Sequence, residues 1–126
     1  MPSINRPLEG PVLTFDLAAL VRELRAEEAY TRSGRAGRTL ARSGRFRTTL
    51  VALAEGAEVG THQADSPLSL HVLEGSVRFR TAGGEHTAGA GELLFFAPGD
   101  AEDLRASAQS AVLLTLSAEG DDHRHE

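Results

Sequence analysis

Apolar runs separated by glycine-rich turns fill the second half of the chain and predict a series of short strands. The runs are residues 68–73, 76–80, 92–96 and 111–116, with turns such as Glu74-Gly75 and Pro98-Gly99-Asp100 between them. Glycine in such turns supplies the positive φ that tight strand connections require. Residues 46–54 are rich in β-branched and apolar side chains and predict a further strand, buried on both faces for much of its length. The pattern predicts antiparallel strands at short spacing, as in an all-β sandwich or barrel.

One helix is predicted ahead of the strands. It begins near Thr14 or Asp16, either of which can cap it through a side-chain oxygen, and it ends around Tyr30. Its apolar residues fall on one helical face at Leu17, Leu20, Val21 and Leu24. We expect this face to cover an open side or end of the β-structure, in preference to binding a partner.

The length of 126 residues fits one compact domain. We expect residues 1–35 to form an N-terminal extension and helix, residues 36–117 to form the β-structure, and residues 118–126 to be a flexible acidic tail. No apolar run approaches the length of a membrane helix, and the first residues lack the apolar core of a secretory signal. We therefore expect a cytoplasmic protein with no membrane partner.

Composition removes several classes of chemistry. The chain has no cysteine, which excludes disulfides, thiolate metal sites and cysteine nucleophiles. Every one of its 13 basic residues is arginine, so a Schiff-base lysine and a phosphate-binding P-loop lysine are excluded as well. The net charge of −5 argues against a general nucleic-acid partner.

Six arginines fall between residues 31 and 47 with no acidic residue among them. One interpretation is a patch that binds anions or nucleic acid, because guanidinium groups match phosphate geometry. The other is a solvated loop followed by strands with outward-facing arginines, or arginines that pair with acidic residues across a dimer interface. The alternation in residues 38–42 fits an amphipathic strand, and no aromatic residue is interleaved for base stacking, so we favour the second.

Three segments together resemble the two motifs of the cupin superfamily, and in particular its small single-domain bacterial members. They are Gly60-Thr61-His62-Gln63-Ala64, Leu70-His71-Val72-Leu73-Glu74-Gly75 and Gly91-Glu92-Leu93-Leu94-Phe95-Phe96-Ala97-Pro98-Gly99. The resemblance implies an all-β fold, a cupin-type jelly-roll β-barrel with one N-terminal α-helix.

The same resemblance implies a degenerate metal site. Metal-binding cupins carry two histidines one residue apart and a glutamate in the first motif, and a third histidine in the second. His62 matches the first histidine, but Ala64 stands at the second and Leu68 at or near the glutamate. The last histidine position falls on Glu102, or on Asp103 after a shift of one residue.

Strand periodicity bears on these candidates. Glu102 shares its parity with Leu104 and Ala106 and is expected to face inward, whereas His71 shares its parity with Ser69 and faces the opposite side from Leu70. Because a stable divalent site commonly needs three protein ligands, His62 and Glu102 alone predict no cofactor or a weakly bound divalent metal ion. The pair could instead act as general acid and base, or form a hydrogen bond that fixes the mouth of the barrel.

The expected pocket is apolar apart from His62 and Glu102. Its predicted lining is Leu68, Leu70, Val72, Phe79 and Leu104, and alternation adds Leu50, Ala52, Val77 and Phe95 as further candidates. Such a pocket suits a small, largely apolar ligand. We expect His86 to be exposed, on a turn or edge strand.

Three functions compete on these observations. We favour a small-molecule binding or sensing module with a degenerate metal site. The alternative is a metal-dependent cupin enzyme, of isomerase, epimerase or dioxygenase type, using His62 and Glu102. A third hypothesis is a protein that binds anions or nucleic acid through the segment from Arg32 to Arg47. Outward apolar residues in 92–96 and exposed strand edges also predict a homodimer.

Overall fold

The computed structural model describes residues 12–59, 67–81, 83–97 and 104–117. In these ranges it has two helices, α1 (Leu17–Arg25) and α2 (Glu28–Ser33), followed by nine strands. Within the same ranges, neither helix has the length and apolarity needed to cross a membrane. The strands are β1 (Arg35–Ser43), β2 (Phe46–Leu53), β3 (Glu58–Val59), β4 (Leu68–Glu74), β5 (Ser76–Thr81), β6 (Gly84–Gly89), β7 (Leu93–Phe96), β8 (Leu104–Ala106) and β9 (Ser110–Ser117).

The strands form two antiparallel sheets. The first has five strands in the order β1-β2-β9-β4-β7, and the second has four in the order β3-β8-β5-β6. A core shared by both sheets lies between them and includes Val51, Leu70 and Val112 from the first and Val77 and Leu104 from the second. The predicted all-β fold is confirmed. Among the described residues no strand pairs across the two sheets, so closure into a barrel stays a prediction.

A second core lies on the outer face of the first sheet, beneath α1. Leu20, Val21 and Leu24 of the helix pack there with Leu50 and Ala52 of β2. Since Val51 and Leu53 face the other core, residues 50–53 are buried on both faces, as the sequence predicts. The apolar stripe of α1 therefore covers one face of the β-structure, which confirms its predicted role.

The prediction of one helix ending around Tyr30 is wrong. Asp16 is the N-cap, its side chain accepting a hydrogen bond from the backbone N–H of Ala19 at 3.1 Å, but α1 ends at Arg25. Glu27 then adopts an extended conformation, with ψ of 151°, before α2 begins. The apolar stripe stops at Leu24, so a continued straight helix would turn Glu27 and Glu28 towards the sheet, whereas the bend lets Tyr30 pack against the second core.

The hairpin between β4 and β5 is built around Gly75 and Ser110. Gly75 has φ of 79°, and a Cβ there would collide with the backbone oxygen of Gln109 and with the side chain of Ser110. Ser110 is fully buried, its Oγ accepting from the Ser76 N–H at 3.1 Å and donating to the Ala108 carbonyl at 2.7 Å. These contacts fix the Glu74-Gly75 turn against the strand that lies beside β4.

Candidate functional site

The five apolar residues predicted to line a pocket come together between the two sheets. Leu70, Val72 and Leu104 are fully buried there, and Leu68 and Phe79 are 3% and 8% exposed. The alternation on β4 and β8 is confirmed, because Ser69, His71 and Arg105 of the opposite parity are less buried than their neighbours. These side chains fill the central part of the interior, and their role as the lining of a ligand pocket stays a prediction.

Two segments outside the described residues are attached to one end of this sandwich. One connects Val59 with Pro67, and the other connects Ala97 with Leu104. Val59 pairs with Leu104, and Leu68 pairs with Phe96. The Phe79 side chain connects the two pairs, because Phe79 lies opposite Leu104 and its ring meets that of Phe96 edge-on at 5.3 Å. We refer to the region of Val59, Leu68, Phe96 and Leu104 as the Phe96 end.

The two polar candidates, His62 and Glu102, lie outside the described residues, as do Ala64 and Asp103. His62 belongs to the segment between Val59 and Pro67, and Glu102 to the segment between Ala97 and Leu104. Both segments are thus attached to the Phe96 end. Their predicted roles stay predictions.

Three of the additional pocket candidates are misplaced. Leu50 and Ala52 lie in the second core, under α1, because the inward residues of β2 are Val51 and Leu53. Phe95 is 68% exposed, and Phe96 faces the interior in its place. The register explains the second error, since Phe96 lies opposite the inward residue Leu68 and Phe95 opposite Ser69.

The interior also holds a residue that the sequence pattern assigns to solvent. Arg47 has the parity of Val51 and Leu53 on β2 and lies opposite Leu116, which in turn lies opposite Leu68. It is partly buried, and its Nε atom is buried with no hydrogen-bond partner among the described residues. Counting back by twos from Leu53 identifies it as an inward-facing residue at the Phe96 end.

The family model of the AraC-like ligand-binding domain matches residues 49–123 of this chain. The chain belongs to this family. The match takes in every strand from β3 to β9, together with most of β2. No curated protein matches this AraC-like domain.

Solved structures with the same fold include several cupins, which confirms the predicted cupin resemblance. A conserved protein of unknown function from Streptococcus pyogenes is 22% identical, with a TM-score of 0.68 over 94% of this chain and 96% of that one. A cupin superfamily protein from Desulfitobacterium hafniense is 16% identical, with a TM-score of 0.69 over 94% and 100%. A variant of salicylate 1,2-dioxygenase from Pseudoaminobacter salicylatoxidans is 14% identical, with a TM-score of 0.70 over 82% of this chain and 34% of that one. At these identities the similarity concerns the fold.

Neither described histidine of the AraC-like domain is fully buried. His71 faces outward from β4, partly buried between Leu113 and Leu93 of the neighbouring strands. His86 is exposed on the edge strand β6, on the same face as the inward residue Phe79, and stacks on its ring with centroids 5.2 Å apart. Both placements confirm the predictions. Over the ranges that the structure describes, no three histidine, cysteine, aspartate or glutamate residues are grouped so as to hold a metal ion.

Several arginines of the segment 31–47 have partners within the chain. Arg38, whose side chain is 12% exposed, forms ion pairs with Glu23 at 3.0 Å and with Glu27 at 2.7 Å. Burial lowers the pKa of Arg38, but the hydrogen bonds to the two carboxylates outweigh it and raise the pKa above its ordinary value. Arg35 donates to the carbonyl of Glu58 at 2.6 Å, which links the free edges of the two sheets. These two arginines therefore act as connections between structural elements.

An open groove of about 390 Å³ lies beside this link, where β1 and β3 form the edges of their sheets. Arg35, Gly37, Val51 and Val59 line it, with Glu27 at the helical side. It lies at the opposite edge of the first sheet from β7 and gives access to the interior from the side.

Proposed function

We propose that this AraC-like domain is a small-molecule binding or sensing module whose ligand lies between the two sheets at the Phe96 end. The observation that carries the proposal is the match of residues 49–123 to a ligand-binding domain, since this range includes strands β3 to β9 and the inward-facing residues Thr49, Val51 and Leu53 of β2. A fold of this kind hosts many activities, so the chemistry of the site decides the role.

Burial along β9 supports the location. Val112 is fully buried, whereas Leu114 and Leu116 are only partly buried although they face the same interior. The interior is therefore well filled near Val112 and less completely covered towards the Phe96 end. Apolar side chains dominate this end, which suits a ligand with an apolar body that a few polar groups orient.

His62 and Glu102 are the polar groups we propose for the mouth of this pocket. The support is their place in the sequence, each in a segment that connects strand ends at the Phe96 end. In the same proposal the two sheets close into a jelly-roll barrel, and the incomplete ligand set holds a divalent metal ion weakly or not at all.

Metal analysis tests this function against the enzyme alternative. Protein purified without added metal or an affinity tag is analysed before and after dialysis against manganese, iron, nickel and zinc. We expect less than stoichiometric metal in the wild-type protein. The comparison includes His62→Ala and Glu102→Ala, with His71→Ala, on the outward face of β4, as the matched control. Stoichiometric metal that His71→Ala retains and both other variants lose would overturn the proposal in favour of a metal-dependent enzyme.

We also propose that the domain forms a homodimer through the outer face of β7. Leu93 and Phe95 are 67% and 68% exposed there, on an edge strand that α1 does not cover. An exposed apolar edge strand is prone to pair with another chain, and a second copy offers the same surface. Light scattering should show a dimer that Leu93→Ser with Phe95→Ser converts to a monomer. A monomeric wild-type protein would contradict this.

A further inference from the structure

Two arginines face each other across β1 and β2 on the inner side of the first sheet: Arg47 is partly buried, and Arg42, on the edge strand β1, is exposed. Arg42 lies directly opposite Arg47, and Arg47 lies opposite the inward residue Leu116. The next inward pair, Thr39 and Thr49, has hydroxyl oxygens 3.4 Å apart. The β1–β2 side of the Phe96 end is therefore polar and cationic, whereas the β4–β7 side is apolar.

This arrangement is unfavourable without a counter-ion. Like charges placed directly opposite each other in an antiparallel pair are destabilising. A buried guanidinium nitrogen without a hydrogen-bond acceptor adds the cost of its lost hydration, and the Nε of Arg47 is in this state. Within the described residues, neither Arg42 nor Arg47 forms an ion pair.

The chain has carboxylates that neutralise other arginines. Its net charge is −5, and Arg25, Arg38 and Arg105 each have a carboxylate within 3.0 Å. In the part of the chain that the structure describes, Arg42 and Arg47 are left unpaired beside a partly covered region of the interior. An anion that enters this region would offset the repulsion between the two arginines and give the Nε of Arg47 a hydrogen-bond acceptor.

We propose that Arg47, assisted by Arg42, binds the carboxylate of a small organic acid, and that the apolar body of the acid lies against Leu68, Phe96 and Leu116. The proposal rests on the proposed function and names the class of its ligand. The planar guanidinium forms paired hydrogen bonds with a carboxylate, which fixes the orientation of the ligand. A carboxylate fits better than a phosphate because one negative charge costs less to bury beside these apolar side chains than two.

Matched acids and amides test the assignment. Benzoate with benzamide, and hexanoate with hexanamide, have the same shape in each pair but differ in charge. We expect calorimetric titration of the wild-type domain to show at least about tenfold tighter binding of each acid, because a charge-assisted hydrogen bond contributes this much or more. Arg47→Met, which keeps the apolar stem, should lose the preference.

The matched control is Arg78→Met. Arg78 is an exposed arginine on the outward side of the second sheet and also lacks an ion pair within the described residues, so its replacement changes the net charge equally. We expect this variant to keep the preference for acids. Without ligand, Arg47→Met should melt at or above the wild-type temperature, because removing an unpaired guanidinium relieves a cost; an arginine with a purely structural role would instead destabilise the fold when replaced.

Three results would overturn the assignment. They are retention of the acid preference by Arg47→Met, equal binding of acids and amides by the wild-type domain, and failure of both acids to bind. Equal binding of acids and amides would exclude recognition of a carboxylate but would leave the proposed binding function in place. The metal analysis above tests that function independently.

Discussion

Replacing Gly75 by alanine should destabilise the domain by about 3–5 kcal/mol. The backbone has φ of 79° at this residue, and the left-handed region costs an L-residue about 1–2 kcal/mol. The new Cβ would also lie 2.9 Å from the Cα of Ser110, a backbone atom that cannot rotate away. Displacing Ser110 disrupts its two buried hydrogen bonds, to Ser76 and Ala108, at a cost of about 1–1.5 kcal/mol each.

Gly91→Ala separates the two contributions. Gly91 has φ of 89°, but nothing lies within 4 Å of the position that a Cβ would take. The substitution should therefore destabilise the domain only by the backbone cost of about 1–2 kcal/mol. Urea unfolding followed by far-UV circular dichroism measures both variants, since the chain has no tryptophan. The melting temperature of Gly75→Ala should fall by roughly 10–20 °C. Equal destabilisation of the two variants would refute the steric argument.

Further substitutions test core packing, helix capping and ion pairing, and all can be measured in the same urea titration. Leu70→Ala should cost about 3–4 kcal/mol, because Leu70 is fully buried and leaves a cavity; a loss below about 1 kcal/mol would show that the sandwich is loosely packed. Asp16→Ala should cost about 1 kcal/mol through loss of the N-cap, and Asp16→Ser should restore most of it. Arg38→Met should cost about 1–2 kcal/mol with little dependence on salt, whereas Arg105→Met, whose ion pair is more than half exposed, should cost under about 0.5 kcal/mol. Equal costs for the two arginines would contradict the role assigned to Arg38.

The sequence predicts those elements in which apolar and polar positions alternate clearly. Strands β4 and β5 lie within one residue of their predicted bounds, because a period of two identifies both the strand and its inward face. The run Leu93–Phe96 has no alternation, so its register depends on its pairing with β4, and the pattern alone places Phe95 on the wrong face. The apolar stripe of α1 stops at Leu24, but the bend after Arg25 that lets Tyr30 pack against the second core depends on tertiary packing.

The candidate site is predicted less completely than the fold. Its apolar residues follow from alternation, but Arg47 is an inward-facing charge on a strand whose residues 50–53 are buried on both faces, so the sequence does not show which parity of β2 faces the interior. The assignments of His62 and Glu102 depend on resemblance to a motif, and both residues lie outside the described ranges. Binding and chemistry at these two positions stay predictions for the experiments above.

The most direct measurement of the central claim is a methyl NMR titration of the full-length domain with hexanoate and hexanamide. If a ligand binds between the sheets at the Phe96 end, the methyl signals of Leu68, Leu104 and Leu116 should shift with at least one of the two probes. The methyl signals of Leu24 and Leu40, in the core beneath α1, should not shift. Shifts confined to Leu24 and Leu40, or no shift with either probe, would contradict the account.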